Sequence, residues 1–277
     1  MNAVWTLAWL TFQEARRRSM VLVALALGLL FLLIFGVGLN LITQSRTTQN
    51  ASPANILAGY NLLTLAGLYV VHFLAIMLAI VATVDAVSGE IGSHTIQTLV
   101  TRPVARWQVI VGKWFGYAAM LALYTSLLCV GILLESRLIV GYSPPNALAG
   151  VALIVLQVLV LVSLSLFCGV YVSTLTNGVI LFMLYGLAFI GSWVEQIGTL
   201  LDSPAAAQVG IVSSLVLPVE ALWRLAAYLM QPPLLNTTNI SPFSLGAVPS
   251  GAMVVYSGFF VIAFLGLAVW AFARRDL

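Results

Sequence analysis

The sequence predicts an all-α fold: a polytopic membrane protein with six transmembrane helices in one transmembrane domain over residues 1–277. Three observations predict it. First, 62% of the residues are apolar and only 7% are charged, whereas soluble domains carry about 25% charged residues; the mean hydropathy is +1.10. Second, six apolar runs are long enough to cross a hydrocarbon core of about 30 Å. Third, eight of the eleven Lys and Arg residues fall in alternate connecting segments. That bias marks the cytoplasmic side.

Residues 1–18 are expected to form an N-terminal interfacial helix. Trp5, Ala8, Trp9 and Phe12 recur at i, i+3, i+4 and i+7, and Gln13, Glu14 and Arg16-Arg17-Arg18 follow. An aromatic stripe ending in cations suits a helix lying in the membrane interface. The alternative is that this stretch is the cytoplasmic end of the first span. Residues 20–42 form that span; a signal-peptide apolar region is shorter, about 7–15 residues, and has no amphipathic helix before it. Residues 43–55 are a polar loop closed by Pro53.

Further spans are expected at about 57–84, 110–134, 147–172, 178–200 and 251–273. A tight turn at 173–177 joins the fourth and fifth. Residues 201–250 form an external segment rich in proline, including Pro204, Pro218 and Pro249. Its middle, 209–230, is apolar enough to imitate a seventh span. Pro218 interrupts it, Glu220 and Arg224 lie inside it, and an odd span count would put Arg274-Arg275 outside. Short external helices dipping towards the membrane are expected instead. Glu220 and Arg224 stand at the i, i+4 spacing of a helical ion pair, which predicts an external pair.

With the N-terminus inside, cytoplasmic segments hold Arg16, Arg17, Arg18, Arg102, Arg106, Lys113, Arg274 and Arg275. External segments hold Arg46, Arg137 and Arg224. Both termini are therefore expected in the cytoplasm.

Residues 85–116 concentrate Asp85, Glu90, Arg102, Arg106 and Lys113, five of the nineteen formal charges. Such a segment between two apolar runs must lie where water satisfies it. Ser88 can cap a helix, with Glu90 in its first turn at the positive end of the dipole. Ile91, Thr95, Ile96, Leu99 and Val100 then recur at roughly helical spacing. Pro103 ends that helix, because Arg102 is disfavoured in the α region before proline. A short amphipathic helix followed by a sharp corner is a docking device; the plain alternative is a surface loop.

These residues resemble a family. Ser88-Gly89-Glu90, Thr95, Leu99, Arg102-Pro103-Val104, Arg106 and Gly112-Lys113 resemble the membrane subunits of ATP-binding-cassette (ABC) transporters, in the type-2 exporter branch. The C-terminal 274–277 and the stretch around Leu217-Pro218 and Leu222-Trp223-Arg224 are also similar. The nearest branch includes permeases linked to maturation of a periplasmic copper enzyme. The family often has charged residues and a Gly-Thr pair after the acidic residue, where this chain has Ile91, Gly92, Ser93 and His94-Thr95.

The resemblance implies that 86–106 is a cytoplasmic coupling helix. Its contacts with an ATPase would involve Glu90, Ile91, Thr95, Ile96, Leu99, Arg102, Pro103 and Arg106. It also implies two ABC ATPase subunits per complex, a second permease copy in a homodimer or heterodimer, and the inner (plasma) membrane of a prokaryotic cell. ATP and Mg would belong to the partner ATPase. No cofactor is expected on this chain, and its partners are protein subunits and the lipid bilayer, not nucleic acid.

No catalytic residue is indicated. Gly112-Lys113 is not a phosphate loop, because Trp107 stands where the first glycine is needed and Trp114 replaces Ser or Thr. There is neither His-Glu-x-x-His nor Gly-x-Ser-x-Gly. With two histidines, His72 and His94, no metal site is expected. Cys129 and Cys168 lie in apolar runs and read as small buried hydrophobes. Polar groups inside spans are costly and therefore mark function or helix-to-helix hydrogen bonds. Glu195, Gln157 and His72 are the candidates for a substrate path. The expected function is the permease subunit of an ATP-driven exporter. The alternatives are a secondary transporter driven by an ion gradient and a non-transporting anchor for a soluble partner.

Overall fold

The computed structural model describes residues 3–45, 52–92, 105–201, 203–233 and 249–275. Helix α1 (Ala3–Arg17) and helix α2 (Ser19–Gln44) break at Arg18, whose backbone is extended at φ −68° and ψ 134°. Then come α3 (Pro53–Thr83), α4 (Ser88–Gly92), α5 (Arg106–Val140), α6 (Ala147–Tyr171), α7 (Thr174–Leu200), α8 (Pro204–Val216), α9 (Val219–Leu229) and α10 (Ala252–Arg274). Among the described residues, six helices are long and apolar enough to cross a membrane: α2, α3 with its continuation to Ile91, α5, α6, α7 and α10. A chain this apolar can satisfy its backbone polar groups in hydrocarbon only within such helices.

The core lies where α3, α5 and α6 meet. In the most apolar stretches of α3 and α6, 61% of residues are buried, against 11% in α2 and 22% in α10. The peripheral helices therefore turn most of their apolar surface outward. Helix α5 is 35 residues long and begins four residues earlier and ends six later than the sequence suggests. The reason is local: Arg106 and Arg137 sit on helical turns that project beyond the apolar stretch, and Gly141, at φ +69°, ends the helix.

Helices α8 and α9 form a pair bent by 106° at Leu217-Pro218. Helix α8 folds back along α7, since Ala206 lies against Gly198, Gly210 against Glu195 and Ser213 against Gly191. Helix α9 returns beside α6. Met230 reaches Gly150 near the start of α6, and Asn146 Nδ2 donates to Leu229 O at 3.3 Å. The pair thus enters and leaves at one end of the bundle, called here the distal end. The start of α1 and the end of α10 lie at the opposite end, called here the terminal end, where Arg106 Nη1 donates to Ala273 O at 3.1 Å and Arg275 O at 2.8 Å.

The expected coupling helix over 86–106 falls largely outside the described residues. Helical structure within 86–106 is described only for Ser88–Gly92 and from Arg106, and Arg106 is the first residue of the long helix α5. Thr95, Ile96, Leu99, Arg102 and Pro103 lie outside the described residues.

Candidate functional site

Charged side chains form a collar at the terminal end. Arg18, freed from helix at the α1–α2 break, donates from Nη1 to both carboxylate oxygens of Asp85, at 2.6 and 2.7 Å, and from Nη2 to Glu14 at 3.0 Å. A charged donor shared by both oxygens of a carboxylate fixes orientation as well as distance. Burial alone would lower the Arg18 pKa, but the adjacent Tyr117, Asp85 and Glu14 hold it above its ordinary value. Lys113 Nζ donates to Ala86 O at 2.6 Å and meets Glu90 Oε1 at 2.5 Å. Ser88 Oγ lies 2.9 Å from Thr174 Oγ1, and Asn177 Nδ2 donates to Val84 O at 3.0 Å. The turn after α3 is therefore tied to Arg18 at the start of α2, to α5 and to α7 at once.

A second polar group lies inside the bundle, around the deep tip of the α8–α9 pair. His72 on α3 and Gln157 on α6 are fully buried. Nδ1 of His72 lies 2.5 Å from Gln157 Oε1. An amide oxygen only accepts, so His72 donates from Nδ1. Its Nε2 lies 3.4 Å from Glu220 Oε1 on α9. Trp223 and Tyr69 flank the imidazole, with ring centroids 5.2 and 5.6 Å away.

About one helical turn along α9, Arg224 Nη2 donates to Glu195 Oε2 on α7 at 2.8 Å. Both side chains are less than a tenth exposed. Gly210 on α8 makes room for this pair, since a Cβ there would collide with Glu195 Cβ. Buried charges persist only when paired, and here the pair joins α7 to α9 under the returning α8. Gln157 Nε2 and the Nε and Nη1 of Arg224 are buried without a hydrogen-bond partner among the described residues.

The structure thus gathers His72, Gln157, Glu195, Glu220 and Arg224 around one hairpin, though the sequence separates them by up to 152 positions. It corrects one expectation. Glu220 and Arg224 do not form an external ion pair with each other: both are buried, Glu220 lies against His72, and Arg224 pairs with Glu195. Their i, i+4 spacing put them on one face of α9, and that face turns inward, where partners on α3 and α7 lie nearer. Within the chain, Glu90 meets Lys113. Ile91 is half-buried at the edge of the core. Cys129 and Cys168 are free thiols.

The sequence reading overlooked the Arg18–Asp85 and Glu90–Lys113 pairs and the role of Asn177. The signal available was a charge or amide at the boundary of an apolar run, which needs a partner but does not say which. Among the described residues no three His, Cys, Asp or Glu side chains are grouped as a metal site.

Comparison with known proteins gives one family. Residues 5–277 match the model of the family described as ABC-2 family transporter protein. Two curated relatives carry the name "Probable ABC transporter permease protein NosY". That of Stutzerimonas stutzeri is 30% identical over 126 residues, 44% of this chain and 41% of the relative. That of Pseudomonas aeruginosa is 30% identical over 128 residues, 45% of this chain and 42% of the relative. The chain therefore matches less than half the length of either relative.

Proposed function

The chain belongs to the ABC-2 transporter family, and we propose that it is the membrane-spanning permease subunit of an ATP-driven ABC exporter. In this reading it forms the substrate path, while separate ATPase subunits, two per complex, bind ATP and Mg and supply the energy. A second permease copy, identical or related, completes the path. The terminal end of the bundle faces the cytoplasm of a prokaryotic cell, in keeping with the eight-to-three distribution of Lys and Arg.

The observation that carries this reading is the collar. The Glu90–Lys113 pair joins the two flanks of segment 93–104, and Arg18–Asp85 ties one flank to the N-terminal helices. Force applied to the segment by a docked ATPase would reach α2, α3, α5 and α10 together, rather than bending one loop. Ile96, Leu99 and Arg102 would make the docking contacts.

The test is co-purification of the chain with an ABC ATPase subunit, before and after Leu99→Ala with Arg102→Ala. The double variant should insert normally and lose the ATPase. Retention of the ATPase at the wild-type level would refute docking through this segment.

One observation favours a second reading, an ion-driven transporter: Glu195, Glu220 and His72 are buried titratable groups within the bundle. Substrate movement that collapses with an ionophore and ignores loss of the ATPase would select it.

A further inference from the structure

Three arginines converge where α10 ends beside α5 and α6. Arg106, the first residue of α5, donates from Nη1 to Ala273 O at 3.1 Å and Arg275 O at 2.8 Å. That takes up two carbonyls at the end of α10, where a helix leaves them without internal partners, and steadies the backbone that carries Arg274 and Arg275. Arg274 lies over the Trp270 ring, 4.4 Å from its centroid, a cation–π contact that holds the guanidinium in place. Trp270, Ala271, Arg274 and Arg275 on α10, with Val170 and Tyr171 on α6, line one open cleft of about 600 Å³.

The charge around this cleft is unbalanced. Among the described residues, the acids at the terminal end already have partners: Glu14 and Asp85 pair with Arg18, and Glu90 with Lys113. Arg106, Arg274 and Arg275 make no ion pair among the described residues. Asp276 lies outside the described residues. The negative ends of α6 and α10 offset only about half a charge each, and the positive end of α5, which starts at Arg106, adds about as much. Three guanidiniums thus leave the cleft positive, which suits an anion.

The cleft is charged at one end and apolar beyond it. Helices α6 and α10 both run from the distal to the terminal end, and they pack through Phe167 and Phe264, whose ring centroids are 5.4 Å apart. Phe264, Leu267, Ala271 and Arg274 recur at i, i+3, i+7 and i+10, so they share one side of α10. The seam therefore leads from the arginines past Trp270 and Leu267 towards the middle of the bundle. Tyr171 and Trp270, 57% and 51% exposed, flank its mouth, and such aromatic side chains favour the headgroup level of a membrane. We propose that this cleft binds one anionic phospholipid of the leaflet at the terminal end, with its phosphate at Arg274 and Arg275 and an acyl chain along the α6–α10 seam. The guanidiniums select the headgroup charge, as basic residues do at anionic membrane surfaces. An acidic protein loop would use the arginines but not the apolar seam that continues from them.

The test uses the full chain alone in phosphatidylcholine nanodiscs, with a rising share of either phosphatidylglycerol or phosphatidylcholine brominated high on the acyl chain. Cleft occupancy is the part of the tryptophan quenching that Trp270→Phe removes. Brominated phosphatidylglycerol should reach half-quenching at about 25-fold lower share than brominated phosphatidylcholine, about fivefold for each of the two cleft arginines. Arg274→Gln and Arg275→Gln should each leave about a fivefold preference. The two together should leave none, with quenching by phosphatidylcholine unchanged. Arg16→Gln with Arg17→Gln removes two cations at the same end but on α1, and should keep the whole preference. Equal half-quenching by the two lipids in the wild type overturns the proposal, as does a preference that survives the double cleft variant. A preference that emerges only with Asp276→Asn overturns it too, since the chain then supplies its own counter-anion.

Discussion

Glu90 Oε1 and Lys113 Nζ meet at 2.5 Å, although segment 93–104 lies between them in the chain. The pair lies at the mouth of that segment, and Lys113 also donates to Ala86 O. Removing the ammonium takes one donor from the Glu90 carboxylate and from the Ala86 carbonyl. Lys113→Met should lower stability by about 2 kcal/mol, and the double variant with Glu90→Gln should recover much of it. Thermal unfolding in detergent checks both. No recovery in the double variant would mean that the two side chains do not act as a pair.

Arg224 and Glu195 pose the same question deeper in the bundle. Both are buried, so truncating one strands the other in a poorly solvated site. Arg224→Ala should cost about 3–5 kcal/mol, more than the double replacement Arg224→Met with Glu195→Gln. The measurement is again thermal unfolding, with proteolysis of the α8–α9 pair as a local readout. The single variant should expose the 217–218 bend to cleavage, and the double variant less so.

Gly116 tests the seat of the N-terminal helix. Any side chain there meets Ala8 O and Thr11, and backbone cannot give way as a flexible side chain can. Gly116→Leu should free α1 from α5, at a cost of about 1–3 kcal/mol from overpacking. Trp5 and Trp9 fluorescence would report the release. Arg18 should still hold Asp85, so α2 keeps its place.

The spans are legible in the sequence because apolar length and Lys or Arg placement are local signals. Pro218, Glu220 and Arg224 mark the break between α8 and α9 in the same local way. Partner choice is not legible. Glu220 and Arg224 share a helical face by spacing, but spacing does not say whether that face meets water or the bundle. Arg18 reaches Asp85 across 67 positions and His72 reaches Glu220 across 148; such contacts depend on how helices assemble, which no window of sequence carries. The exporter resemblance rests on 88–113, where only the flanks fall among the described residues, so docking through Ile96, Leu99 and Arg102 stands as a proposal.

The central claim is that force on 93–104 crosses the bundle through the collar. Spin labels at Leu148→Cys and Leu201→Cys, both highly exposed at the distal end, with Cys129 and Cys168 replaced by Ala, would read it in the reconstituted complex with its ATPase. ATP should change the distance between the labels in the wild-type collar. With Glu90→Ala and Lys113→Ala, ATP hydrolysis should continue while the distance stays fixed. An unchanged ATP-driven shift in that double variant would contradict the account.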